Sequence, residues 1–135
     1  MTKHSLWVTT ARFEVAIPGE HFINPRCFGE DFAHWLRGLL LERGIDVDEP
    51  IQEDWGWILL AKMQSKKLTI SIGVLEDSIG AVPAVWKLDV EFEKVLNGIR
   101  AWFTRIPEEP ARQLITEIRD ALSEESGISV SDTEP

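Results

Sequence analysis

Hydrophobic and polar positions along the chain alternate in two distinct periods, and the switches between them delimit the elements. From Leu6 to Ile17 the spacing is near two. Trp7, Ala11, Phe13, Val15 and Ile17 are assigned to one face, and Thr10, Arg12 and Glu14 to the other, which predicts a strand ended by Pro18-Gly19. His21 to Phe28 reads as a loop, with Asn24-Pro25 as a turn signal. A helix then opens at Gly29 or Glu30 and runs to Arg43. Phe32, Trp35, Leu36, Leu39 and Leu40 fall at helical spacing, and Gly44 stops it. Ile45 to Glu53 reads as an acidic connector.

Period two returns over Trp55–Gln64 and Leu68–Leu75, joined by Ser65-Lys66-Lys67 as a tight antiparallel hairpin. The expected inward residues are Trp55, Trp57, Leu59, Ala61 and Met63, facing Leu68, Ile70, Ile72 and Val74. A strand over Ala84–Val90 follows, with Trp86, Leu88 and Val90 on one face. Near Glu91 the period becomes 3.6, and Phe92, Val95, Leu96, Ile99, Trp102 and Phe103 form a helical stripe. Pro110 suits the first turn of a last helix reaching about Glu125, with Leu114, Ile115, Ile118 and Leu122 as its apolar face. Gly127 ends that helix, and Ile128 and Val130 suit a short edge strand. The predicted order is β-α-β-β-β-α-α: an α+β domain over residues 1–130, with helices on one face of an antiparallel four-stranded sheet and a frayed tail at 131–135.

Composition narrows the function classes. At 135 residues with 44% hydrophobic content, the chain is long enough to bury a core as one domain without staples. One cysteine, Cys27, excludes an internal disulfide and fits a reducing cytoplasm. The N-terminal residues lack the apolar run of a signal peptide, and no stretch approaches the ~20 apolar residues of a membrane helix. The net charge of -9 argues against nucleic-acid binding and against docking on anionic lipid. It suits a basic protein partner, and it also keeps a protein soluble.

The most distinctive run is Glu53-Asp54-Trp55-Gly56-Trp57. Two tryptophans two residues apart share one face of a strand. They either fill the core, with Asp54 capping the turn, or form an aromatic platform edged by Glu53 and Asp54. Cys27 lies just before a helix, with His21 and His34 nearby in sequence, but it carries no signature of a catalytic thiol and reads as a small buried residue. His4, His21 and His34, with Cys27 or Asp31, match no zinc spacing. Neither a phosphate-binding glycine loop nor a nucleophile elbow is present, so no cofactor is expected.

These motifs resemble a loose group of small bacterial α+β proteins. The resemblance rests on Pro25–Cys27, on Phe32–Leu36, on Glu53–Trp57 and on the Trp86 strand with the Leu/Phe-rich stretch after it. It covers most of the chain, and it implies no activity. In size, charge and architecture the chain is also similar to immunity proteins that neutralise bacterial toxins. Two functions follow as expectations. The first is a non-catalytic, cytoplasmic interaction module that binds a basic protein through Asp46, Asp48, Glu49, Glu53 and Asp54, with Trp102 as an anchor. The second is a small-molecule-binding protein or enzyme with a pocket near Cys27, His21, His34 and Asp54.

Overall fold

The computed structural model describes residues 4–92 and 109–135. Its elements are β1 His4–Thr10, α1 Glu30–Glu42, β2 Asp46–Val47, β3 Ile51–Glu53, β4 Gly56–Met63, β5 Lys66–Val74, a short 3-10 turn Glu76–Ser78, β6 Ala84–Phe92, α2 Glu109–Ser123 and β7 Ile128–Ser131. The class is α+β. Among the described residues the antiparallel sheet has seven strands, where the sequence pattern predicted four, in the order β2-β4-β5-β6-β1-β7, with β3 also paired to β4.

The three added strands lie at the sheet edges. β7 is the short strand expected at Ile128 and Val130, and it pairs with β1. β2 and β3 occupy the connector expected to be a loop. Both pair with β4, with Asp46 opposite Lys62 and Gln52 opposite Trp57. The register slips by one residue between them, so Asp48–Pro50 forms a bulge, held where Asp48 N–H donates to Leu60 O at 2.8 Å. Charged residues and a proline hid this strand pair because edge strands are built from such residues.

β1 is shorter than predicted and its faces are reversed. Leu6, Val8 and Thr10 are the buried set, and Trp7 lies on the opposite face. The chain leaves the sheet after Thr10. Phe13 then packs on Phe32 with ring centroids 4.3 Å apart, and Val15 is buried outside any strand. The apparent period across Phe13, Val15 and Ile17 was therefore loop packing, and Ile17 is exposed.

The central strands follow the pattern closely. Trp57, Leu59, Ala61 and Met63 on β4 face Leu68, Ile70 and Ile72 on β5, and Trp86, Leu88 and Val90 on β6 continue that buried face. The β4–β5 turn is Gln64-Ser65, with φ of 52° and 65°, so the hairpin closes one residue earlier than expected. Phe32, Leu36 and Leu40 of α1 and Leu114, Ile115, Ile118 and Leu122 of α2 join these side chains in one core. Arg43, which caps the end of α1, bridges to Glu117 of α2 and to Glu124 just after it. The helix expected over Phe92–Phe103 lies outside the described residues after Phe92, and Phe92 itself ends β6.

Candidate functional site

β3 and β4 form a hairpin in which Glu53 pairs with Gly56, leaving Asp54 and Trp55 as its two-residue turn. Trp55 is thus not a strand residue and does not share the inward face of Trp57. The two tryptophans separate: Trp57 is 5% exposed and Trp55 is 49% exposed. Asp54 is exposed and Glu53 half-buried beside them.

Two glycines shape this tip. A Cβ on Gly56 would stand 2.3 Å from the carbonyl oxygen of Ile72, so the start of β4 lies too close to the β5 backbone for any side chain there. A Cβ on Gly73 would stand 3.7 Å from Trp55 Cε3 and 3.5 Å from the Trp55 carbonyl oxygen. The bare backbone of Gly73 is therefore the seat of the Trp55 ring. A glycine inside a strand is unfavourable, and close approach of another group is a recognised reason for it.

Residues 19–29 clamp the hairpin from one side. Asn24 Nδ2 donates to the Asp54 carbonyl at 2.5 Å, and Ile23 N–H donates to Gln52 Oε1 at 2.8 Å. The Cys27 thiol donates to Glu53 O at 2.9 Å, and the indole N–H of Trp57 donates to Cys27 O at 2.9 Å. The turn bearing Trp55 is thus held by backbone pairing, by Asn24 and by the Gly73 seat. Ile51 on β3 and Ile23, whose backbone N–H meets Gln52 of β3, are further exposed apolar residues. Glu76 and Asp77, just beyond the end of β5, add exposed carboxylates at the same end of β5 as Gly73. Glu76 is joined by Arg26 of the clamping loop at 2.7 Å.

The thiol and the imidazoles do not assemble a reactive centre here. Cys27 is fully buried, and its thiol is pushed up from its ordinary value, first by desolvation and then by the nearby Asp54 carboxylate. That is the opposite of what a nucleophilic thiolate needs. His34 is exposed on α1, and His21 Nε2 lies 2.6 Å from Glu30 Oε1. The Asp54 carboxylate is close enough to act on the Cys27 thiol, while His34 is not hydrogen-bonded to either among the described residues. No group of three metal-binding side chains occurs among the described residues. No helix among them is long and apolar enough to cross a membrane.

The other acidic candidates lie elsewhere on the same edge. Asp46 and Asp48 border a groove of about 130 Å³ with Leu60, Ala61, Lys62 and Lys67. Glu49 pairs with Arg37 at 3.2 Å. Each of these carboxylates sits on the bulged edge strand, where charge, a bulge and Pro50 discourage pairing with another chain. Neighbouring cations offset part of their field. Trp102 lies outside the described residues. Pattern reading missed Gly73, Asn24 and Ile23. An isolated glycine inside the alternating run Leu68–Leu75 was the one signal available for Gly73.

Comparison of the chain with protein-family models, with curated proteins and with solved structures found no match.

Proposed function

We propose that this chain is a non-catalytic, cytoplasmic interaction module whose binding site is the hairpin tip at Asp54-Trp55, and whose partner is a basic protein. An immunity-type protein that neutralises a basic toxin is its most concrete form, in keeping with the resemblance to small bacterial α+β proteins noted above. The observation that carries this reading is the seating of Trp55. It is a large indole half exposed on a turn that is fixed by hydrogen bonds and by a glycine beneath the ring. Tryptophan leads binding hot spots, and an anchor already fixed in place loses little side-chain entropy on binding. The overall acidity favours capture of a cation-rich surface at a high encounter rate. Glu53 and Asp54 flank the anchor directly, whereas Asp46, Asp48 and Glu49 contribute long-range field.

The test is capture on immobilised wild-type chain and on Trp55→Ala in parallel, followed by kinetics with whichever protein is retained. Loss of an anchor of this kind costs about 2 kcal/mol or more, roughly thirtyfold in affinity, mostly as faster dissociation. A partner that dissociates from Trp55→Ala no faster than from wild type removes the hairpin tip from the interface.

A further inference from the structure

Three tryptophans of the described chain reach the surface, and two of them hold a cation of their own. The Arg12 guanidinium lies 5.2 Å from the ring centre of Trp35, and the Lys87 ammonium lies 5.4 Å from that of Trp7. Trp57 and Trp86 are buried in the core. Trp55 is the most exposed of the five described, and no cation is seated over it among the described residues.

The nearby cations are committed elsewhere. Lys87 stands opposite Gly73 in the β5–β6 register, but its ammonium is over Trp7 and 3.9 Å from Asp89. Arg26 is ion-paired with Glu76. The exposed and half-buried residues of the hairpin, of the loop clamping it and just beyond the Gly73 end of β5 are largely anionic or apolar: Glu53 and Asp54 in the hairpin, Glu76 and Asp77 after β5, and Ile23 and Ile51. An indole attracts a cation through its negative face, and adjacent carboxylates strengthen that preference.

We propose that Trp55 is a cation-binding platform, receiving an arginine or lysine side chain of the protein partner over its indole, with Asp54 and Glu53 as counter-charges. This rests on the reading of the tip as the interface and specifies the chemistry of its anchor. Gly73 is the positioning residue, because a large side chain there would lift the ring from its seat.

The test uses three blocked hexapeptides of arginine, lysine or citrulline, titrated at physiological ionic strength. Citrulline keeps the size and hydrogen-bonding shape of arginine without its charge. The readout is the indole N–H spectrum, with signals assigned by single Trp→Phe variants. The Trp55 signal should move saturably with the arginine and lysine peptides and at least fivefold more weakly with citrulline. In calorimetric titration with the arginine peptide, Trp55→Phe should retain more affinity than Trp55→Leu, by about two- to fivefold, the range for an exposed cation–aromatic contact. Gly73→Leu should abolish the Trp55 shift while the Trp57 and Trp86 signals hold their places. Reversing Asp46, Asp48 and Glu49 to lysine should change the Trp55 affinity no more than about fivefold, since these charges act only at long range.

Equal shifts from the arginine and citrulline peptides overturn the proposal, as does equal affinity of the Phe and Leu variants. A Trp55 signal that does not respond, or complete loss of binding in the triple reversal, also overturns it. These outcomes separate from failure of the interface itself. If Trp55→Ala loses the captured partner but the peptides do not discriminate, the tip is an interface with an uncharged anchor. If the captured partner binds Trp55→Ala unchanged, the interface reading fails whatever the peptides do.

Discussion

Replacing Gly56 by alanine should be among the most damaging small changes in this chain, and alanine at Gly73 should leave stability intact. At Gly56 an added methyl meets the Ile72 carbonyl oxygen at 2.3 Å, well inside the 3.0 Å that real Cβ contacts respect. Ile72 belongs to a central strand, bonded to β4 on one side and β6 on the other, so its carbonyl cannot retreat without disturbing both ladders. The backbone at Gly56 also has a φ of 157°, which an L-residue rarely adopts. Strain of that kind costs about 1–3 kcal/mol, and overpacking against fixed backbone about the same again. The expected loss is about 4 kcal/mol, or a fall of about 12–20 °C in Tm for a domain of this size. At Gly73 the added methyl stands at ordinary contact distances of 3.5 and 3.7 Å. Alanine there removes the entropic penalty of a strand glycine, so the expected change is a gain of up to about 1 kcal/mol. Urea unfolding of both variants, read by tryptophan fluorescence and by circular dichroism, gives both numbers. A Gly56→Ala protein within about 1 kcal/mol of wild type would refute the close approach of Gly56 to the Ile72 carbonyl. A Gly73→Ala loss above about 1 kcal/mol would refute the open seat under Trp55.

Other consequences follow from single contacts. Trp57→Phe removes the indole N–H donated to Cys27 O and should cost about 1–3 kcal/mol, measured in the same urea series. The Cys27 thiol is buried and raised, so labelling by a disulfide reagent at neutral pH should be much slower in the native chain than in urea; equal rates would place the thiol at the surface. Iodide should quench a variant retaining Trp55 alone strongly and one retaining Trp57 alone weakly. The Glu14 carboxyl is held below its ordinary value of 4.5 by the backbone N–H of Ala16, then by that of Ile17. Its folded value lies below its unfolded value, so its contribution is complete above pH 4.5 and fades as pH falls through the folded value. The Tm difference between wild type and Glu14→Gln should accordingly shrink on acidification from pH 7 to pH 3, and an unchanged difference would argue against that turn.

Much of the fold was legible because buried faces impose a period. Leu59, Ala61, Leu68, Ile70, Ile72, Leu88 and Val90 are all in the core, as alternation demands, and so are Leu36, Leu40, Leu114 and Ile118 on the helices. Edge elements were not legible for the opposite reason. β2 and β3 bury little beyond Val47, so no apolar period marks them, and their charges serve to keep other strands away. Trp55 was misplaced because alternation from Trp57 extends through a turn only if the turn is ignored. A two-residue turn at Asp54-Trp55 ends the period one residue before Trp57's strand begins. The seat at Gly73 depends on a contact between residues 18 apart in the chain, which no local pattern encodes.

Site-specific photocrosslinking tests the role of the hairpin tip most directly. A benzophenone amino acid replaces Trp55 in one version of the chain and Leu41, an exposed residue of α1, in another. Each is irradiated with the retained partner at physiological ionic strength. A crosslinked partner from position 55 and none from position 41 is the expected result. A partner crosslinked from position 41 and not from position 55 would contradict the assignment of the interface to Asp54-Trp55.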